Sequence, residues 1–252
     1  MSSDLYLEVK GPVAHLVIDR PAKRNAFDQA MWDALPLLVA KAMDDDAVRV
    51  MVLHSAHPRM FCAGADISEL SANAASADWL LANQIAINRA QHVLARAAKP
   101  TIALIAGDCI GGGCGLALAC DLRVASPASR FGITPAKLGL VYPLHDTKLL
   151  VDLVGPANAK RLLFTGTLID AAEAYRIGLI DEIGDNAVPL IQSITSVSGH
   201  SQRESKSIIR RILDGQVDDG DATRASFAAA FRGDDFREGV DAFLTKRKPA
   251  FS

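Results

Sequence analysis

Residues 107–121 read GDCIGGGCGLALACD, in which three consecutive glycines and Cys114-Gly115 precede an apolar helical run. Glycine inside regular structure costs about 0.5–1 kcal/mol relative to alanine, so this cluster needs a physical reason. One reason is a tight strand-to-helix turn. The other is a loop whose bare N–H groups face a ligand oxygen at the positive end of a helix. The spacing alone favours the turn, because GGG matches neither GxGxxG nor the GxxxxGK[ST] phosphate loop.

The segments on either side of this loop predict an alternation of strands and helices. An opening hairpin over 4–10 and 13–18 turns at Gly11-Pro12, and Asp28 is a candidate N-cap for a helix over 28–43. The predicted elements that follow are a strand over 48–54, a helix over 77–97, a strand over 101–106, a helix over 113–120 and a strand over 122–125. This succession predicts an α/β fold with a parallel sheet and right-handed crossovers.

Beyond residue 145 the pattern becomes helical. The predicted helices cover 147–154, 156–163, 170–177, 203–213, 221–231 and 234–246. Several phenylalanines recur at helical spacing within 221–246, which indicates an apolar face. The last part of the chain is therefore predicted to be a helical appendage of the α/β core.

The composition excludes several classes of function. The 252 residues are 50% hydrophobic and 22% charged with a formal net charge of -2, so no general basic field for nucleic acid or anionic membranes exists. The four cysteines form no CxxC pair and have no histidine at metal-ligand spacing, which predicts free thiols and no metal site. The N-terminus has no signal-peptide pattern, and no apolar run approaches 18 residues. We expect a cytoplasmic protein that binds neither nucleic acid nor membranes.

Two further loops are expected close to the glycine cluster. Residues 59–66, RMFCAGAD, also pass from an apolar strand into a small-residue turn, and the carboxyl ends of parallel strands lie side by side. One N–H group from each loop would then face the same oxygen, which stabilises a developing enolate or oxyanion. The third loop, 19–27, contains Lys23 and Arg24, which alone would indicate only a solvated basic turn.

Together these segments carry a family resemblance that runs from about residue 5 to the end of the chain. The chain resembles the enoyl-CoA hydratase/isomerase (crotonase) family in the segments IDRPAKRNAF (18–27), RMFCAGADISEL (59–70), KPTIALIAGDCIGGGCGLALACDLRVAS (99–126), FTGTLIDAAEAYRIGLIDEI (164–183) and DDFREGVDAFLTKRKPAF (234–251). The resemblance implies an α/β spiral of ββα units over 1–190. It also implies a C-terminal helical region over 191–252 that supports homotrimers or hexamers.

The resemblance further implies a site for a coenzyme A thioester, of the kind used in fatty acid metabolism, with no cofactor besides the CoA of the substrate. Ala65 and Gly112 match the residues whose backbone N–H groups form the family's oxyanion hole. Lys23 and Arg24 are expected to face the CoA phosphates, and the adenine is expected near Cys62, Ala63 and Gly64. The remaining residues expected to contact the substrate are Ala26, Asp66 and Gly111.

The chain departs from the family where hydratases carry two glutamates. The first position, just after GGGC, is Gly115, and the second matches Pro135. Water addition needs an acid and a base on either side of one carbon, so the hydratase mechanism has no evident base here. If the pocket is otherwise intact, Gly115→Glu together with Pro135→Glu is expected to raise hydration.

Other polar residues nearby offer alternatives. The segment TPAKLGLVYP resembles that of the family's methylmalonyl-CoA decarboxylases and makes Tyr142 a catalytic candidate, although those enzymes carry a histidine where this chain has Ala65. Tyr142 is equally compatible with a core aromatic. His145 and Asp146 are candidates for a polar pocket, but the pattern favours a solvent-facing residue and the N-cap of the 147–154 helix.

Three classes of function remain open. The chain is a decarboxylase or other lyase that uses Tyr142, a hydratase or isomerase with an unidentified base, or a non-catalytic acyl-CoA-binding protein. The first two are separated by assays of malonyl-type thioester decarboxylation and crotonyl-CoA hydration. Binding without turnover identifies the third.

Overall fold

The computed structural model describes residues 4–251, which form two compact units. The first contains residues 4–97 and 101–187, and the second contains residues 98–100 and 188–251. Every residue of the candidate site discussed below belongs to the first unit.

A six-stranded sheet forms one half of the first unit. Its strands, in spatial order, are β1 (Leu5–Lys10), β2 (Val13–Ile18), β3 (Val50–Ser55), β5 (Thr101–Ile105), β7 (Leu122–Ala125) and β10 (Glu182–Ile183). β1 and β2 form the predicted antiparallel hairpin, and the remaining neighbours pair in parallel. The apolar strands of the sequence thus become the centre of a sheet.

A second sheet in the first unit consists of four short strands. It consists of β4 (Met60–Cys62), β6 (Asp108–Ile110), β8 (Arg130–Gly132) and β9 (Ile169–Asp170), with β9 antiparallel to β8. β6 and β8 were not predicted as strands, because a stretch of three residues is too short to show a periodicity. The strand pairs β3–β4, β5–β6 and β7–β8 each contribute one strand to each sheet.

Helices complete the repeating unit. The helices of the first unit are α1 (Gln29–Asp44), α2 (Ile67–Ala72), α3 (Ala77–Ala95), α4 (Gly112–Ala119), α5 (Leu144–Thr165) and α6 (Ala171–Arg176), with short 3-10 helices at Pro21–Lys23 and Pro135–Leu138. Asp28 caps α1 as predicted, its side chain accepting from the Met31 N–H. Strand–strand–helix repeats that return to the same two sheets confirm the predicted spiral of ββα units.

The helix α5 differs from prediction in two ways. The two predicted helices over 147–154 and 156–163 form one helix with a kink at Gly155, whose φ is 74°. The helix also begins earlier, after Pro143, so that Asp146 lies inside the first turn. The prediction of Asp146 as an N-cap was therefore wrong, and this shift places its side chain in the interior.

The second unit is helical. It contains α7 (Val188–Thr195), α8 (Gly199–Leu213), α9 (Asp221–Ala230) and α10 (Asp234–Leu244). Ser198 caps α8 by accepting from the Ser201 N–H, and its hydroxyl donates to Asp235. Phe231 makes edge-on ring contacts with Phe227 and Phe236, each with centroids 5.3 Å apart. Across residues 4–251, no helix combines the length and apolar character needed to cross a bilayer.

Candidate active site

The glycine-rich turn before α4 lies directly against the loop that follows β4. A Cβ atom added to Gly64 would lie 3.0 Å from the Gly112 nitrogen and 3.0 Å from the Ile110 carbonyl oxygen. Gly64 also has a φ of +98°, which disfavours other residues. Glycine at this position therefore allows the two loops to pack backbone against backbone.

The peptide between Gly111 and Gly112 is held in one orientation. Gly111 adopts φ 54° and ψ -118°, and its N–H donates to the Gly132 carbonyl at 2.8 Å. The Tyr142 hydroxyl donates to the Gly111 carbonyl oxygen at 3.2 Å. Because this carbonyl and the Gly112 N–H belong to the same peptide unit, the tyrosine orients the Gly112 N–H.

Two neighbouring backbone N–H groups have no acceptor among residues 4–251. Gly112 begins α4, where the first N–H groups have no partner within the helix. Phe27 pairs with the chain on either side of Ala65, donating to Gly64 and accepting from Asp66, so the Ala65 N–H points to the opposite side. A Cβ on Gly112 would lie 3.5 Å from the Ala65 nitrogen. The Ala65 and Gly112 N–H groups, which we call the cradle, can together donate to one oxygen atom that carries negative charge.

Asn25 fixes the loop beside this cradle, and sequence analysis did not identify it. It is fully buried with φ 56°, and its Nδ2 donates to the Ser55 hydroxyl at 2.7 Å and to the Met60 and Phe61 carbonyls at 3.0 and 3.1 Å. The sequence signal for such a residue is an asparagine within a turn, because asparagine adopts positive φ more often than most other residues. Its hydrogen bonds hold residues 23–27 against the β3 and β4 strands.

Apart from Gly111, which lies on the glycine-rich turn before α4, the residues predicted to contact CoA lie on two adjoining loops, 19–27 and 59–66. The Ala63 N–H donates to the Arg24 carbonyl at 3.1 Å, and the Cys62 thiol contacts the Asn25 carbonyl at 3.1 Å. Lys23 and Arg24 are exposed, as cations facing phosphates would be, and the Lys23 amine lies 3.2 Å from the Ser68 hydroxyl. Burial raises the pKa of the Cys62 thiol to about 12, so Cys62 is a packing residue without thiolate reactivity.

Arg20 organises the same region through ion pairs that the sequence did not reveal. Its guanidinium lies 2.9 Å from Asp66, 3.2 Å from Asp4 and 3.2 Å from Asp28, and it donates to the Ala26 carbonyl. Burial alone would raise the pKa of Asp66, but hydrogen bonds from Ser68 and Arg20 outweigh it and lower the pKa to about 2. Asp66 caps α2 and pairs with Arg20, so both of its oxygens have protein partners.

The positions of the two missing glutamates differ in their surroundings. Pro135 begins a 3-10 helix and lines an apolar cleft together with Leu140, Val141, Tyr142 and Leu163. Gly115 instead faces two polar side chains. A Cβ added there would lie 2.3 Å from Gln91 Nε2 and 2.6 Å from Asp146 Oδ2. The space that a residue at 115 would use is filled from α3 and α5.

Tyr142, His145 and Asp146 all face inward. Tyr142 is buried, and burial together with the nearby Asp146 raises the pKa of its hydroxyl well above the ordinary value, so it remains a donor. His145 is not solvent-facing as predicted: its side chain is only 24% exposed and its Nδ1 lies 3.5 Å from Asp146 Oδ1. The side chains of His145 and Asp146 therefore face each other, and their role in a polar pocket stays a prediction. Within the described part of the chain, no group of three or more His, Cys, Asp or Glu side chains could hold a metal ion.

Comparison with known proteins gives a consistent result. A model of the family described as Enoyl-CoA hydratase/isomerase matches residues 8–252. The chain is 32% identical to the short-chain-enoyl-CoA hydratase of Clostridium acetobutylicum, over 98% of this chain and 96% of that protein. It is also 32% identical to the crotonyl-CoA hydratase of Syntrophomonas wolfei, over 98% and 97% of the two chains.

Solved structures agree over the same length. The crystal structure of an enoyl-CoA hydratase/isomerase family protein from Hyphomonas neptunium superimposes with a TM-score of 0.95 at 39% identity, covering 99% of this chain and 97% of that one. The enoyl-CoA hydratase of Bacillus anthracis superimposes with a TM-score of 0.92 at 25% identity, covering 99% of both chains. The chain therefore belongs to the enoyl-CoA hydratase/isomerase family.

Proposed function

We propose that this protein is an enzyme that binds an acyl-CoA thioester with its carbonyl oxygen between the Ala65 and Gly112 N–H groups and stabilises the enolate. The adjacency of these two unpaired donors is the observation that carries the proposal. Donors fixed before the reaction stabilise developing oxyanion charge without having to reorient. The relatives named as hydratases of enoyl-CoA and crotonyl-CoA support a CoA thioester as the substrate class.

The surroundings of the cradle suit such a substrate. Lys23 and Arg24 supply exposed cations for the CoA phosphates, on a loop that backbone hydrogen bonds hold against Ala63. The apolar cleft beside Tyr142 suits an alkyl acyl group. Tyr142 acts here as a positioning residue, because its hydroxyl proton is already donated to the Gly111 carbonyl.

The reaction proposed is enolate chemistry other than the two-glutamate addition of water. Gly115 and Pro135 provide no carboxylate, so the unmodified protein is expected to hydrate crotonyl-CoA slowly. Loss of one positioned acid or base typically lowers a rate by about 10²–10⁴. Reactions that need chiefly an enolate, such as proton exchange at the α-carbon or decarboxylation of a malonyl-type thioester, remain compatible with the cradle.

Calorimetry with acetyl-CoA against free acetate tests this function, with Gly112→Ala as the decisive variant. The added methyl would lie 3.5 Å from the Ala65 nitrogen, a distance that the fold tolerates but that fills the space beside that N–H. Gly184→Ala is the matched control, since its Cβ would be 3.8 Å from its nearest neighbour, Val124. We expect acetyl-CoA to bind the unmodified protein and the Gly184→Ala control, and Gly112→Ala to bind at least tenfold more weakly. Equal affinity for all three proteins would contradict the proposal.

A further inference from the structure

We propose that Asp146 is the residue that transfers the proton at the substrate α-carbon, with its carboxyl group occupying the space that the missing side chain at Gly115 leaves open. The inference rests on the proposed function, because it needs a thioester bound at the Ala65 and Gly112 N–H groups. It adds the acid–base group that the sequence did not identify.

The Asp146 carboxyl lies against α4, the helix whose first residue is Gly112. Gly112 and Gly115 are three residues apart on this helix, so they lie on the same face about one turn apart. The Asp146 Oδ2 atom lies 2.6 Å from where a Cβ of residue 115 would be. A carboxyl group thus reaches the face of α4 that carries the oxyanion-binding N–H, although it comes from α5 and not from α4 itself.

The carboxyl group is buried and only half satisfied. The residue is 1% exposed, and its Oδ2 accepts from Gln91 Nε2 at 3.0 Å. Its Oδ1 has no hydrogen-bond partner among residues 4–251, and neither do Gln91 Oε1 and His145 Nδ1. Buried polar groups almost always have partners, since leaving one unpaired costs about 1–3 kcal/mol. His145 Nδ1 faces Asp146 Oδ1 at 3.5 Å, which is longer than a hydrogen bond, so both carboxylate Oδ1 and Gln91 Oε1 remain open to a group that arrives with the substrate.

A route for the proton leads from this carboxyl to solvent. His145 Nδ1 lies 3.5 Å from Asp146 Oδ1, and the His145 side chain is 24% exposed. On the far side, the His145 ring contacts the His92 ring from α3, with centroids 5.6 Å apart. His145 therefore connects the buried carboxyl with the exterior.

The step requires no other reactant. The α C–H bond of the thioester breaks, its proton moves to Asp146 Oδ1, and its electron pair forms the carbon–carbon double bond of the enolate. The enolate oxygen is held by the Ala65 and Gly112 N–H groups. Exchange of the Asp146 proton with solvent through His145, followed by return to the same carbon, regenerates the thioester with a solvent hydrogen at that position.

The electrostatic surroundings suit a base. Burial raises the pKa of Asp146 and the neighbouring His145 opposes part of that rise, so the ionised carboxylate is a stronger base than an ordinary aspartate. The titratable groups beside it are Tyr142 and His145 from its own segment. His92 from α3 contacts the His145 ring, and Cys114 from α4 lies near Tyr142. Tyr142 remains protonated, so the carboxylate has no second buried anion beside it.

Deuterium uptake from D2O into the α-carbon of butyryl-CoA, followed by mass spectrometry, tests this assignment. We expect the unmodified protein to catalyse uptake, with a rate that rises with pH as Asp146 ionises. Asp146→Asn keeps the acceptor for Gln91 and should slow uptake at least 100-fold, with butyryl-CoA affinity within about threefold of the unmodified protein. Asp152→Asn, the same change on α5 at an ion pair with Lys148, should leave uptake unchanged.

Each outcome is decisive. Uptake by Asp146→Asn within threefold of the unmodified rate overturns the inference, and so does an unmodified protein that binds butyryl-CoA without any uptake. Failure of the unmodified protein to bind butyryl-CoA contradicts the proposed function itself. If Asp146→Asn does not fold, His145→Gln decides: we expect uptake at least tenfold slower, and an unchanged rate with an unchanged pH profile overturns the assignment.

Discussion

Adding a single methyl group at Gly115 is expected to destabilise the protein, although Gly→Ala inside a helix normally stabilises. The new Cβ would lie 2.3 Å from Gln91 Nε2, 2.6 Å from Asp146 Oδ2 and 3.1 Å from Gln91 Cδ. Both side chains can rotate, but both are buried, and rotation breaks the 3.0 Å hydrogen bond between them.

The magnitude follows from three contributions. Overpacking a core costs about 1–3 kcal/mol, and losing a hydrogen bond to a charged group costs about 1.5–3 kcal/mol. The higher helix propensity of alanine than of glycine offsets roughly 1 kcal/mol of this loss of stability. We therefore expect Gly115→Ala to lower the free energy of unfolding by roughly 1.5–5 kcal/mol, measured from urea titrations.

Two comparisons make the result specific to this contact. Gly239→Ala, inside α10 with its nearest neighbour 3.8 Å away in Phe251, should be neutral or stabilising by up to about 1 kcal/mol. In a Gln91→Ala background, Gly115→Ala should cost less than it does in the unmodified protein, because the 2.3 Å clash is gone and only the 2.6 Å approach to Asp146 Oδ2 remains. A Gly115→Ala protein as stable as the unmodified one would refute the packing described around Asp146. The same clash changes the sequence-based expectation that Gly115→Glu with Pro135→Glu restores hydration, which now also requires shortening Gln91 and Asp146.

Three further outcomes are expected. Tyr142→Phe should lower turnover about tenfold with nearly unchanged acetyl-CoA affinity, since one hydrogen bond that orients the Gly111–Gly112 peptide is lost; unchanged steady-state kinetics would remove its positioning role. Lys23→Ala with Arg24→Ala should weaken acetyl-CoA binding and flatten its dependence on salt, measured by calorimetry at several ionic strengths; an unaltered salt dependence would exclude contact with the phosphates. Because the pKa of Asp66 is about 2 in the folded protein, its contribution to stability is complete above its unfolded value and disappears as pH falls toward 2. Asp66→Asn should therefore reduce stability at pH 7 and make acid unfolding less steep, and an unchanged acid titration would contradict the ion pair with Arg20.

Local sequence patterns predicted the elements that carry their own signals. The hairpin at Gly11-Pro12, the Asp28 cap and the buried strands all follow from alternation, capping chemistry and apolar runs. Of the second sheet, the strand within 59–66 was predicted, whereas β6 and β8 were missed because they are three residues each and their pairing is set by neighbours distant in the chain. The C-terminal assembly into trimers or hexamers stays a prediction.

Of the candidate site, only the two turns that supply backbone N–H groups could be predicted from the sequence. The Ala65 and Gly112 turns have compositional signals, since small residues between strand and helix allow close approach. Asp146 was assigned to a helix cap because the sequence shows an acidic residue before the predicted helix, and does not show that the helix begins three residues earlier than predicted, at Leu144. The Asp146 carboxyl can be buried there because Gly115 has no side chain. Gly115 lies 31 positions away in the sequence, and only folding brings the two residues into contact.

The infrared stretching frequency of the thioester carbonyl in bound [1-¹³C]acetyl-CoA tests most directly whether the Ala65 and Gly112 N–H groups hold the substrate oxygen. Two hydrogen bonds to a carbonyl weaken its double bond, so we expect a shift to lower frequency on binding to the unmodified protein and to Gly184→Ala. Under conditions that saturate Gly112→Ala, the shift should be largely lost. A bound carbonyl whose frequency matches that of free acetyl-CoA in water, or a full shift in Gly112→Ala, would show that these two N–H groups do not hold the substrate oxygen.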